Sequence, residues 1–246
     1  YLDAMFGQAT PGVGPTYARP YLAPVTSVAA PRILSIVHGD ANVGAYRLTG
    51  AVGNKMTLRI QPATEATISM DFIGATIEPT TLATGLTTRT VVPIMGGDVN
   101  AMFLDNWAGT MGTTALTKCT LRSLELTVNA NRKNRYCVGA LTAADYITMP
   151  WDGTLDLMLE WNSVSKGMVD TLVNGAAGKH QFDVNLTGGT SKTLRIQFAG
   201  TIDQAPTIFE DDDGVVATRL RLRNTYHPTF ANWLKITSGA ALQTLA

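Results

Sequence analysis

Histidine and cysteine are scarce in this chain, with three of the first and two of the second in 246 residues. His38, His180 and His227 lie far apart, and none has a Cys, Asp or Glu at metal-ligand spacing, so neither a metal nor any other cofactor is expected. Cys119 and Cys137 bracket the segment 120–136. With "NANRKN" read as a hairpin tip, Cys137 falls opposite a residue near Glu125 and well away from Cys119, so free thiols are expected. Net charge is missing too: 19 Lys and Arg balance 19 Asp and Glu. No global field therefore draws the chain to nucleic acid or to an anionic membrane. No apolar run approaches the roughly 20 residues of a membrane-spanning helix, and no basic segment precedes a hydrophobic one at the N-terminus. A soluble protein with no export signal and no membrane anchor is expected. The chain begins at Tyr1 and not at Met, so a few upstream residues are expected to be missing.

Catalytic motifs are equally sparse. There is no Gly-x-Ser-x-Gly elbow. "NGAAGKH" at 174–180 is close to a phosphate loop but has Val173 where that loop needs Gly and His180 where it needs Ser or Thr, so a turn between helix and strand is the better reading. "EDDDG" at 210–214 lacks the alternating ligands and distal Glu of a calcium loop and reads as a solvated hairpin tip. Asn185-Leu186-Thr187 matches a glycosylation acceptor but lies inside a strand pattern. Nothing assembles an acid, a base and a nucleophile, and no enzyme is expected.

What the chain has in quantity is alternation. "TLRIQ" occurs at 57–61 and again at 193–197, with Leu58 and Ile60, then Leu194 and Ile196, at every second position. That period belongs to a strand. The flanks of the two copies do not align, so they read as one solution reached twice and not as a duplication. Ile68, Met70 and Phe72 oppose Thr67, Ser69 and Asp71. Leu124, Leu126 and Val128 oppose Glu125 and Thr127, while Leu155, Leu157, Leu159 and Trp161 oppose Asp156 and Glu160. Phe182, Val184 and Leu186 share a side, and Val216, Thr218, Leu220 and Leu222 oppose Arg219, Arg221 and Arg223. These are half-buried antiparallel strands, each with one apolar and one polar face.

Between the strands run long polar connections. The Thr-rich stretch at about 75–97 and the Pro- and Gly-rich stretch at about 8–31, which carries Tyr17 and Tyr21, have no clean period and read as arms that need a partner to order them. One helix is predicted in "SVSKGMVDTLVNG", with Val164, Met168 and Leu172 on one side, Ser163 capping its start and Asn174-Gly175 ending it.

Taken in order, "YLDAMFGQATP", "AYRLTGAVGNKMTLRIQPATEATISMDFIGA", "LRSLELTVNANRKNRYCVG" and "GTLDLMLEWNSVSKGMVDTLV" resemble the tail tube proteins of long-tailed bacteriophages. The resemblance spans most of the chain and rests on patterns of fold. It implies a mainly β protein: one domain over 1–246, an antiparallel β-sandwich or barrel with one short flanking helix and long extended loops. It also implies a virion protein, assembled in the host cytoplasm, that forms rings, typically hexameric. These stack into a hollow tube through which DNA leaves, with the tape measure and tail terminator proteins as further partners. A sheet with an apolar and a polar face fits that role, since edges joined between subunits close a barrel and the polar face then lines the channel. Thr67, Ser69, Asp71, Asp156 and Glu160 are the candidate channel-facing residues, small or acidic where basic groups would hold DNA phosphates. The alternative is a carbohydrate- or receptor-binding β-sandwich that uses Trp107, Trp151, Trp161 or Trp233 as a stacking platform.

Overall fold

The computed structural model describes residues 2–12, 17–25, 31–40, 42–82, 93–117, 120–139, 142–143, 145–173, 178–188, 192–203 and 207–239, with no side-chain description for 171–173. The N-terminal half holds helix α1 (Leu2–Phe6) and strands β1 (Arg19–Leu22), β2 (Leu34–Asp40), β3 (Gly44–Ile60), β4 (Thr67–Ile73) and β5 (Thr76–Thr80). A single 3-10 turn, Gly96–Asp98, leads into β6 (Val99–Asn106), β7 (Leu121–Asn129), β8 (Arg132–Arg135), β9 (Asp145–Thr148) and β10 (Asp152–Glu160). Helix α2 (Ser163–Val173) follows, then β11 (Lys179–Gly188), β12 (Lys192–Ile202), β13 (Thr207–Asp212), β14 (Val215–Asn224) and β15 (Leu234–Gly239).

Alternation fixes which face of each strand turns inward. Leu124, Leu126 and Val128 of β7 lie opposite Leu157, Leu155 and Gly153 of β10, and all three are buried. Every strand pair is antiparallel, and the hydrogen-bonded order β4-β3-β7-β10-β14-β13 makes one layer while β6-β11-β12-β15-β1 makes the other. The layers join where Gly200–Ile202 of β12 pairs with Leu222–Asn224 of β14. Gly200 permits that approach, since a Cβ there would come within 2.7 Å of the Arg223 carbonyl oxygen. Leu58, Leu126, Leu155, Leu157, Leu220 and Leu222 of the first layer meet Phe182, Val184, Ile196, Phe198 and Ile236 of the second in one continuous core. At about 1.5–3 kcal/mol for each large apolar side chain removed from water, this core dominates the stability. The mainly β, antiparallel sandwich expected from the sequence is the observed fold.

Several local expectations are corrected. The segment at 8–31 is not wholly an arm awaiting a partner, because β1 pairs with β15 within the chain and Tyr21 is buried; residues 13–16 and 26–30 of it lie outside the described residues. Within the Thr-rich stretch, 76–80 forms β5 against the first half of β3, while 83–92 lie outside the described residues. "NANRKN" is not a hairpin returning on β7: Asn131 turns the chain at φ 50° and β8 pairs with β9. Cys137 is exposed with a free thiol, and Cys119 lies outside the described residues. Asn162, not Ser163, caps α2. Its Oδ1 accepts the Val164 and Ser165 N–H groups at 2.9 and 3.2 Å, while the Ser165 hydroxyl accepts the Asn162 N–H at 2.8 Å. The buried side of α2 carries Ser165, Met168 and Val169, with Val164 exposed, and Asn174-Gly175 lie outside the described residues. The hairpin expected at "EDDDG" is present, with β13 and β14 joined through Asp213 and Gly214 at φ 55° and 80° and the Gly214 N–H donated to Asp211 Oδ1.

The N-terminus is tied down by buried polar groups. Arg132 is 2% exposed, donates to the Gly53 carbonyl and, at 2.8 Å, to that of Met5, and lies against the rings of Tyr146 and Trp151. Carbonyls and aromatic faces take the place of a carboxylate around this cation. Helix α1 is thereby held at its C-terminal end, and Met5 and Phe6 enter the core.

Candidate functional site

The outward face of the first layer is polar, and the register sets its side chains in rows across the strands. One row runs Thr67 (β4), Arg59 (β3), Glu125 (β7), Asp156 (β10) and Arg221 (β14). The next runs Ser69, Thr57, Thr127, Thr154 and Arg223, and a third runs Asp71, Lys55, Asn129 and Asp152. Four of the five residues expected to share a surface, Thr67, Ser69, Asp71 and Asp156, thus stand in neighbouring rows. Glu160 keeps the phase of Asp156 at the end of β10, opposite Ala217.

The acidic strip expected from single strands is, in the sheet, an ion-paired face. Arg221 donates to both oxygens of Asp156, at 2.7 and 3.2 Å, and Arg59 Nε donates to Glu125 at 2.8 Å. Arg223 reaches Asp152 at 3.4 Å and Arg219 reaches Glu210 at 2.8 Å. Hydrogen bonding and the charge of Asp156 hold the Arg221 guanidinium above its ordinary range. In the first row the like charges of Glu125 and Asp156 stand opposite each other, and a guanidinium on either flank offsets their repulsion.

Both borders of this layer are edges. Among the described residues β4 pairs only with β3, and β13 only with β14. Apolar side chains are exposed at both: Ile68 on β4; Ile208 and Phe209 on β13, with Val216 beside them on β14. Phe209 is 68% exposed, sits at φ 63° within a bulge, and lies T-shaped to the Trp161 ring, 5.1 Å between centroids. Beside β4 lies an open groove lined by Leu48, Phe72, Ala75, Ile77 and Tyr136.

A family model described as phage tail tube protein matches residues 1–223. The chain belongs to the phage tail tube protein family. No similar sequence is found among curated proteins. It is a structural protein of the virion tail, and the family implies assembly with copies of itself and with other tail proteins.

In this tail tube protein the first half of β3, Gly44–Gly50, runs out between β2 and β5 as a three-stranded arm. Gly50, at φ 62° and with Ala75 Cβ 3.1 Å from where its own Cβ would stand, marks the change of partners from the arm to β4 and β7. Val43, Tyr46 and Ile77 are exposed on the arm. Sequence reasoning missed it, although "GAYRLTG" alternates.

For this tail tube protein the carbohydrate-binding alternative is not favoured, and each tryptophan meets another ring of the chain. Trp151 and Trp233 are buried against Phe6 and Phe198, and Trp161 meets Phe209. Trp107 lies edge-on to His227, whose Nδ1 accepts the Phe230 N–H while its Nε2 bonds the Trp107 carbonyl. Among the described residues no group of three or more His, Cys, Asp or Glu could hold a metal ion, and no helix is long and apolar enough to cross a membrane.

Proposed function

We propose that this chain closes into rings, six copies to a ring, by laying β13 of one copy beside β4 of the next. Each copy is one tail tube domain over 1–246, and the rings stack through the β2-β3-β5 arm. The ion-paired face, with Thr67, Ser69, Asp71, Asp156 and Glu160, lines the channel through which the genome is ejected. Assembly takes place in the host cytoplasm, with a tape measure inside the tube and a terminator at its end. The chain acts as a structural element and carries out no catalysis.

The observation that carries this reading is the direction of the two edges. Five antiparallel steps separate β4 from β13, so the two run in opposite directions. Rotation about a ring axis preserves strand direction, so β13 of one copy meets β4 of the next antiparallel, and the alternation continues round the ring with no edge left open. Six strands from each of six copies at about 4.8 Å give a circumference of roughly 170 Å and a backbone diameter of about 55 Å before tilt, room for duplex DNA.

Phe209 tests the seam. A phenylalanine at positive φ costs about 1–2 kcal/mol that glycine does not, while loss of the Trp161 contact costs a similar amount. Phe209→Gly should therefore unfold within about 1 kcal/mol of the parent in urea, yet fail to form rings in negative-stain microscopy under conditions where the parent does. Rings of parental yield from the variant, or a parent that stays monomeric at high concentration with tail extract present to nucleate it, would refute the seam.

A further inference from the structure

The polar face contains the residue type best suited to gripping a phosphate backbone. Arg219, Arg221 and Arg223 alternate along β14, roughly 6.8 Å apart along the strand, and Arg59 lies on the same face two strands beyond β10. Their side chains are 53%, 41%, 61% and 61% exposed, so a polyanion can reach each head. We propose that Glu125, Asp152 and Asp156 are masks: by pairing with Arg59, Arg223 and Arg221 they keep this face from binding nucleic acid, and without them it is a duplex-DNA-binding surface.

The argument is electrostatic. Exposed ion pairs are individually weak, so stability alone gives little reason for several of them on one face. Their effect on a polyanion is larger. Affinity for DNA follows the number of phosphates neutralised and counterions released. A guanidinium with a carboxylate 2.7–3.4 Å away brings no net charge to a phosphate, because the displaced carboxylate stays beside it and repels. Each carboxylate replaced by its amide leaves the side-chain shape nearly unchanged and gives the face one net positive charge. The three replacements give three, on β14 and β3, either side of the β7-β10 pair. The threonine row between them, Thr57, Thr127 and Thr154, adds hydroxyls and no charge. The consequence for DNA transit rests on the proposed placement of this face along the channel; the masking itself does not.

The test uses the unassembled full-length chain and a random-sequence DNA duplex of about 30 base pairs, followed by fluorescence anisotropy from about 50 to 200 mM NaCl. The parent should show no binding. The E125Q/D152N/D156N triple variant should bind, with affinity falling about 40-fold over that fourfold rise in salt, as expected for three phosphate contacts at a log–log slope of about 0.9 each. Asp152→Asn alone disturbs only an exposed pair, so the fold is kept; it should bind more weakly, with a slope of about 0.9. Adding R59Q, R221Q and R223Q to the triple variant should abolish binding. Three results overturn the proposal: a parent that binds as tightly as the triple variant, folded single and triple variants that do not bind, or binding that survives loss of the arginines. Tails built from a variant that binds DNA as the free chain but eject at the parental rate would leave the masking intact and overturn the channel placement.

Discussion

Tyr21 shows how far one proton reaches. Its hydroxyl is buried and donates to Asp3 Oδ1 at 2.8 Å, joining β1 to α1. Burial first, then the Asp3 carboxylate, raise the phenol well above its ordinary 10.0. A group whose pKa is raised on folding contributes stability that is complete below its unfolded pKa and is lost as pH rises through the folded one. Stability should therefore hold to about pH 10 and fall steadily above it. Tyr21→Phe should lose that alkaline limb and be about 1.5–3 kcal/mol less stable at neutral pH, the range for a hydrogen bond to a charged group. Urea titrations of parent and variant from neutral to strongly alkaline pH measure both, and curves that stay parallel would show that this proton does not hold the N-terminal segment. Residue pairs of this kind are hidden in a sequence. Alternation showed that Asp156 and Glu160 share the outer side of their strand, but not that Arg221, 65 positions away, would neutralise Asp156. Period gives the face of a strand; only register gives its neighbour.

Among the elements, the strands that alternate cleanly over five or more residues were legible and those that carry proline were not. Pro20 in β1 and Pro79 in β5 read as breakers, yet among the described residues each strand has one neighbour only, β15 and β3 respectively, and an edge tolerates a missing N–H. Helix α1, at five residues, is too short to show a period, and its place comes from tertiary contacts with Arg132 and Tyr21. The arm was half legible, since β3 alternates in sequence over Tyr46–Thr49 and again over Met56–Ile60 but nothing in it announces a change of partners at Gly50. Tyr46 and Ile77 are 62% and 72% exposed there and contribute little to the core. Tyr46→Ser with Ile77→Ser should leave stability within about 0.5–1 kcal/mol of the parent. If the arm joins ring to ring, the double variant should form single rings that do not elongate. Full-length tubes in electron micrographs would assign stacking to other segments.

At the scale of the whole molecule, the sandwich divides its work between its faces. One face of the β4-to-β13 layer packs on the second sheet, and the other carries rows of hydroxyls and paired charges. An outer solvated surface and a channel wall both require such a face, so composition cannot separate them, but accessibility in the assembled tube can. Ser69 is exposed, lies mid-strand on β4 in the hydroxyl row, and has a side chain small enough to replace without loss. In a background with Cys119→Ser and Cys137→Ser, Ser69→Cys should react with both a small maleimide and a polymer-linked maleimide when the chain is unassembled. In tubes closed at one end the small reagent should still reach it by diffusing down the bore, more slowly than in the free chain, and the bulky one should not. Separate tubes that keep Cys137, with Cys119→Ser and Ser69 unchanged, give the control for an exposed position. If Ser69→Cys takes the bulky reagent as readily in tubes as in the free chain, the ion-paired face is on the outside, and ring closure through β4 and β13 must run with the opposite curvature.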